Sequence, residues 1–150
     1  MDAQATTTAI AALSVTGLMI KARGSVKDIL LDRDCPIFFP RPNEFVTGYS
    51  EEPLSAGTAG TAFKEVDFIL SYYFFYCAIG KGRNLQEKES AAETLLELLF
   101  TTLRAADTAL GLTWVQPSNI SGWTTYTDKK EENTFYGCEV GISCQQHINK

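Results

Sequence analysis

Residues 66–90 read VDFILSYYFFYCAIGKGRNLQEKES: fifteen mostly apolar residues, a Gly-Lys-Gly-Arg turn, then a charged run. Whether the apolar part is a membrane span, a core element or a partner surface decides the fold. A spanning helix needs about 20 consecutive apolar residues, and here Asp67 and Ser71 interrupt the run. Val66, Phe68, Ile69, Tyr72, Tyr73, Phe74, Phe75, Tyr76 and Ile79 are β-branched or aromatic, types that suit a pleated surface. The stretch 66–79 therefore predicts a strand and not a membrane segment.

Alternate side chains of a strand point to opposite faces. One face is Val66, Phe68, Leu70, Tyr72, Phe74, Tyr76 and Ala78, apolar throughout. The other is Asp67, Ile69, Ser71, Tyr73, Phe75, Cys77 and Ile79, which begins polar and turns apolar. A sheet with helices on one side needs only one apolar face, so Tyr73, Phe75 and Ile79 want a second cover, from this chain or from a neighbouring subunit.

The first face has its cover in the sequence that follows. Asn84-Leu85-Gln86-Glu87 has the form of a capping-box start, with Glu87 and Glu89 near the positive end of the helix dipole. Ala92, Leu95, Leu96, Leu99, Leu103, Ala106 and Leu110 recur at helical steps, and Gly111 stands where a C′ glycine ends a helix. This predicts a helix of about 25 residues, roughly 37 Å long. Leu98 and Phe100 fall off the stripe and mark a second contact face.

Residues 5–16 predict a short helix, while GLMIKARGSVKDILLDRD, with Gly17 and Gly24, is either turn plus strand or broken helix. In CPIFFPRP, Pro36, Pro40 and Pro42 exclude a helix and an inner strand, leaving an extended edge segment with Ile37, Phe38 and Phe39 inward. Residues 47–62, TGYSEEPLSAGTAGTA, are small, polar and glycine-rich, and predict a long flexible loop or arm that orders against a partner. TWVQP follows the long helix, and residues 123–127 and 134–146 predict an antiparallel hairpin around the charged turn DKKEEN. The expected fold class is α+β, an antiparallel sheet with helices packed on one face, and the 150 residues form one domain, 1–150.

The net charge of −5 argues against wholesale phosphate binding, which needs a basic face. The N-terminus has no cationic region and reads as no signal peptide. Cys35, Cys77, Cys138 and Cys144 show no CxxC spacing and predict buried thiols in a reduced, cytoplasmic chain. GKGRN at 80–84 leads into a helix but lacks the P-loop spacing, so it reads as a tight turn whose Lys81 and Arg83 form a small basic knob. Cys138 and Cys144 share a strand face, yet six residues separate them by roughly 20 Å, too far for one zinc. His147 is the only histidine, and no GxSxG or HExxH pattern accompanies it. Glu87, Glu89, Glu93 and Glu97 read as a solvated helix face, and the aromatic strand lacks the basic-Gly-aromatic signature of RNA-binding sheets. No enzyme, metal or cofactor is expected.

The order of elements is helix, proline-bounded segment, glycine-rich loop, aromatic strand, long helix, and a hairpin closing on FYGCEVGISC with its Y-x-G-x-x-V run. This order resembles the tail terminator proteins of long-tailed bacteriophages across most of the chain. The resemblance implies a structural protein without enzymatic activity: a homo-oligomeric, hexameric ring that caps the tail tube, ends its polymerisation and joins it to the neck. Implied partners are other copies of the chain, the tail tube protein and a neck or head-completion protein. DNA passes through the ring without sequence-specific binding, and the protein resides in the virion after assembly in the host cytoplasm. On this expectation Tyr73, Phe75, Ile79, Lys81 and Arg83 line the subunit interface. The alternatives are another neck or tail-completion adaptor, and a small regulatory ligand-binding α+β domain.

Overall fold

The computed structural model describes residues 3–25, 32–42, 46–55, 62–79, 85–106, 110, 114–118, 124–128 and 133–149. Helix α1 (Ala3–Ala11) is followed by the short strand β1 (Met19–Ile20), a 3-10 turn (Asp32–Asp34), β2 (Ile37–Pro40), β3 (Val46–Ser55) and β4 (Ala62–Ala78). Helix α2 (Leu85–Ala105) then leads to β5 (Trp114–Ser118), β6 (Thr124–Asp128) and β7 (Asn133–Asn149). All seven strands join one sheet.

The spine of that sheet is the antiparallel pair β4–β7, two strands of 17 residues each, registered from Phe63↔Asn149 to Ala78↔Phe135. Because β7 occupies one edge of β4 along its whole length, β2 and β3 share the other edge end to end. β3 runs beside residues 62–70 and β2 beside residues 72–75. β7 is flanked in the same way, by β6 beside residues 133–137 and β5 beside residues 141–145. Among the described residues only β1 with β2 is parallel. The architecture is α+β, with a largely antiparallel sheet.

Both helices cover one face. Ile10 of α1 and Leu96, Leu99, Phe100 and Leu103 of α2 pack into one cluster with Val66, Phe68, Leu70, Tyr72 and Phe74 of β4 and Cys138, Val140, Ile142 and Cys144 of β7. Burying a Leu or Phe side chain in such a cluster contributes about 1.5–3 kcal/mol. Phe38 joins it from β2, its ring stacked on Tyr72 at 4.4 Å and 12°.

A β-bulge changes the alternation near the end of β4. Phe75 pairs with Gly137 but Cys77 pairs with Tyr136, so Tyr76 is the extra residue. Beyond it the phase inverts. Cys77 and Ile79 turn to the helix side, where they meet Ala92 and Tyr136, and Ala78 turns to the opposite side. The strict two-residue period of the sequence had placed Cys77 and Ile79 with Tyr73 and Phe75, and the bulge corrects that. Gly137 stands opposite the bulge because a Cβ there would overlap the Phe74 carbonyl oxygen and come within 3.0 Å of the Phe75 Cα.

The stretch 47–55 departs most from expectation. It is a strand, not a loop, held in register by β4 from Gly48↔Ile69 to Ser55↔Ala62. The physical reason is that a ladder partner outweighs weak intrinsic propensity, and β4 begins four residues earlier than its apolar run suggests. The glycine-rich remainder, 56–61, lies outside the described residues. β2 is also not the edge: Met19 N donates to Pro36 O at 3.0 Å and Lys21 N to Phe38 O at 2.9 Å, so β1 lies outside it. Its prolines remain compatible because Pro36 precedes the strand and Pro40 ends it. Helix α2 spans 21 residues rather than about 25; past Ala105 the chain turns, and Leu110 still reaches the core with its N–H on Ala106 O at 2.9 Å. Helix α1 ends at Ala11, short of the expected residue 16.

Candidate assembly surface

The sheet face turned away from the helices carries the residues that the sequence singles out, and it is divided in two. At one end Ile37, Phe39, Phe75 and Phe135 are buried together, with Cys35, Tyr73 and Ala78 packed against them. Alternation brings Ile37 and Phe39 from β2, Tyr73 and Phe75 from β4 and Phe135 from β7 onto this face. The rings interlock: Phe75 stacks on Phe135 at 4.9 Å and 2°, and on Tyr73 at 5.5 Å and 13°. Phe39 meets Tyr73 and Phe75 edge-on at 5.7 Å and 5.3 Å. Aromatic pairs in these arrangements add about 0.5–1.5 kcal/mol each beyond their area.

This geometry redistributes the expected interface. Phe75 is only 5% exposed within the single chain, so it is a core residue that needs no neighbour to cover it. Tyr73 is half-buried at the rim of the same cluster. Ile79 sits on the other face beside Cys77, Ala92 and Tyr136, and its N–H donates to Thr134 O at 2.7 Å. Tyr73 and Phe75 are thus together and Ile79 is apart, while Lys81 and Arg83 lie outside the described residues. The sequence reading missed Ile37, Phe39 and Phe135 as partners of Phe75. Treating IFFP as a strand with its own two faces, rather than as three inward residues, is the signal that finds the first two.

Beyond that cluster the described part of this face carries polar pairs beside Ile69. Gln145 Nε2 donates to Asp67 Oδ1 at 3.0 Å, and Arg41 pairs with Glu139 at 3.4 Å, both side chains of the ion pair being about a third exposed. An exposed pair of this kind contributes about 0–1 kcal/mol. At the aromatic end, Asp32 Oδ1 accepts the Ala78 N–H at 2.9 Å and so ties the 3-10 turn to the bulged end of β4.

Burial sets the state of the titratable groups inside the core. None of the four cysteines forms a disulfide. Burial pushes the Cys138 thiol up to about 11, with the Glu139 charge adding to it, and pushes Cys144 up to about 12. Both are protonated at neutral pH, the opposite of an activated nucleophile. The Tyr72 hydroxyl is raised by burial and by Cys144, and it has no hydrogen-bond partner among the described residues. Among the described residues no three His, Cys, Asp or Glu side chains gather as a metal site, and no helix is long and apolar enough to cross a membrane. His147 stands opposite Glu65 in the β4–β7 register.

The outer sides of the molecule are where large apolar groups remain exposed: Met19 at 47%, Tyr49 at 53% and Leu98 at 45%. Met19 and Tyr49 belong to the β1 and β3 side of the sheet, and Leu98 to α2. Among the described residues, β3 is paired through β4 alone and β5 and β6 through β7 alone, so the outer edges of these strands have no strand partner. Comparison with known proteins finds no family model and no curated relative that matches this chain.

Proposed function

We propose that this chain is a structural protein of a long-tailed phage that assembles as a ring, caps the tail tube and joins it to the neck. The observation that carries this proposal is the pattern of edges: a long two-stranded spine flanked by β3 on one side and by β5 and β6 on the other, whose outer edges have no strand partner among the described residues. Such a subunit suits side-by-side, head-to-tail association, in which each copy uses two different surfaces and the series closes on itself. The spine supports the same role. Each long strand extends about 56 Å at 3.3 Å per residue, against about 31 Å for α2, so the sheet outreaches the helix above it. The element order that resembles the tail terminators agrees with this assignment.

The test is to add the purified chain to purified tail tubes from the same source and to image the ends in negative stain. Extra density at one end of each tube, together with arrest of further tube growth on addition of tube protein, is the expected result. Tubes that keep growing at the normal rate with bare ends would overturn the proposal.

A further inference from the structure

Helix α1 is weak in its own right. It has nine residues, AQATTTAIA, with no acidic side chain in its first turn and no basic one in its last. Isolated helices shorter than about 12–15 residues are marginal in water, and the β-branched run Thr6-Thr7-Thr8 lowers the propensity further. Its form therefore comes from its seat. Thr7 and Ile10 are fully buried, and Ile10 joins the cluster beneath the helices.

The seat lies beside the end of β1. Gln4 Nε2 donates to Arg23 O at 3.1 Å, and the Arg23 N–H donates to Thr7 Oγ1 at 3.4 Å, beyond the usual range for such a bond. Thr7 Oγ1 in turn donates to Gln4 O at 2.9 Å. Both ties reach a turn, in which the Ser25 N–H donates to Ala22 O at 3.1 Å, and not a strand ladder. Two residues before Arg23 the chain is already paired with the sheet, the Lys21 N–H donating to Phe38 O at 2.9 Å. Between α1 and β1 stands a second turn. There the Leu18 N–H donates to Val15 O at 3.1 Å and Gly17 takes a φ of 84°, the positive value that the third position of a type II turn requires.

We infer that α1 is a releasable cover, which leaves the core as one unit, hinged at the Gly17 turn, while β1, the β4–β7 spine and α2 stay folded. The backbone bonds of the spine run between its two 17-residue strands, and those of α2 run within the helix, so release of α1 breaks neither. β1 keeps its bonds to Pro36 O and Phe38 O. Release takes Ile10 out of the cluster that also holds Val15 and Phe38, and against which Leu18 and Ile20 pack. A covered apolar end of the core becomes an open one, at less than the cost of global unfolding. This device does not depend on the ring proposed above.

The experiment is native-state amide hydrogen exchange on the purified full chain, followed by NMR at several low urea concentrations, for the wild type and Ile142→Val. The amides of Thr8 to Ala11 are expected to show protection about tenfold or more below that of β4 and β7, and to lose it further as urea rises, because release exposes buried surface. The Arg23 amide is expected to follow α1, since its acceptor leaves with Thr7, and the Lys21 amide to follow the sheet. Ile142→Val weakens the spine, which is intact in both the covered and the released state. It is expected to lower the protection of β4 and β7 roughly two- to tenfold and to leave α1 and Arg23 unchanged. Amides of α1 that match β4 and β7 in the wild type, or that lose protection with them in Ile142→Val, overturn the inference. So does exchange of α1 that ignores urea, or an Arg23 amide that follows Lys21.

Discussion

Gly137 is a residue at which the fold leaves no room for a side chain. Any side chain there meets the Phe74 carbonyl and the Phe75 Cα, which are backbone and cannot rotate away. Gly137→Ala is expected to destabilise by at least the 1–3 kcal/mol typical of overpacking, seen as a lower urea midpoint. Tyr72 predicts the reverse behaviour. Its hydroxyl is buried without a partner among the described residues, so removing it relieves a desolvation cost. Tyr72→Phe is expected to be neutral or to stabilise by up to about 1 kcal/mol, whereas a loss above that range would show that the hydroxyl has a partner. The thiols of Cys138 and Cys144 link residue chemistry to pH. Their folded values are raised above those of the unfolded chain, so their contribution is fully present below the ordinary thiol range and is lost as pH rises. Stability to urea is expected to fall between about pH 9 and pH 12, and to fall less in a variant with Ser at both positions.

At the scale of elements, neighbouring positions of α2 separate packing from exposure. Leu99 is fully buried and Leu98 is 45% exposed. Leu99→Ala is expected to cost about 2–5 kcal/mol and Leu98→Ala within about 0.5 kcal/mol, both read from denaturation midpoints. Equal costs would mean that the helix is rotated from its described position. The helical stripe was legible because every member obeys one period, and β7 was legible for the same reason: Tyr136, Cys138, Val140, Ile142 and Cys144 all face the helices. What escaped the sequence is what periodicity does not encode. The bulge at Tyr76 inverts the faces of Cys77 and Ile79, and only the pairing with Gly137 and Tyr136 reveals it. β3 carries Gly48 and Pro53 and no clear alternation, and it is a strand because β4 offers it a ladder. Phe100, off the expected stripe, is buried because the sheet beneath α2 is wider than one row of side chains.

For the whole molecule, the fold class was legible and the environment of Phe75 only partly so. The sequence pointed to an apolar face around Phe75 that needed cover, and the single chain already supplies that cover through Ile37, Phe39 and Phe135. Among the described residues the large apolar groups that stay exposed, Met19, Tyr49 and Leu98, lie outside that cluster. Phe75→Asp follows from this: it is expected to unfold the chain rather than to yield a folded chain that fails to assemble, since it places a charge in a stacked aromatic cluster. Circular dichroism and mass in solution distinguish the two outcomes. The central claim is that the subunit closes into a ring. The most direct measurement is negative-stain electron microscopy of the purified chain without any partner. Annular particles of uniform diameter with a central opening are the predicted result, and a field of single compact subunits at concentrations well into the micromolar range would contradict it.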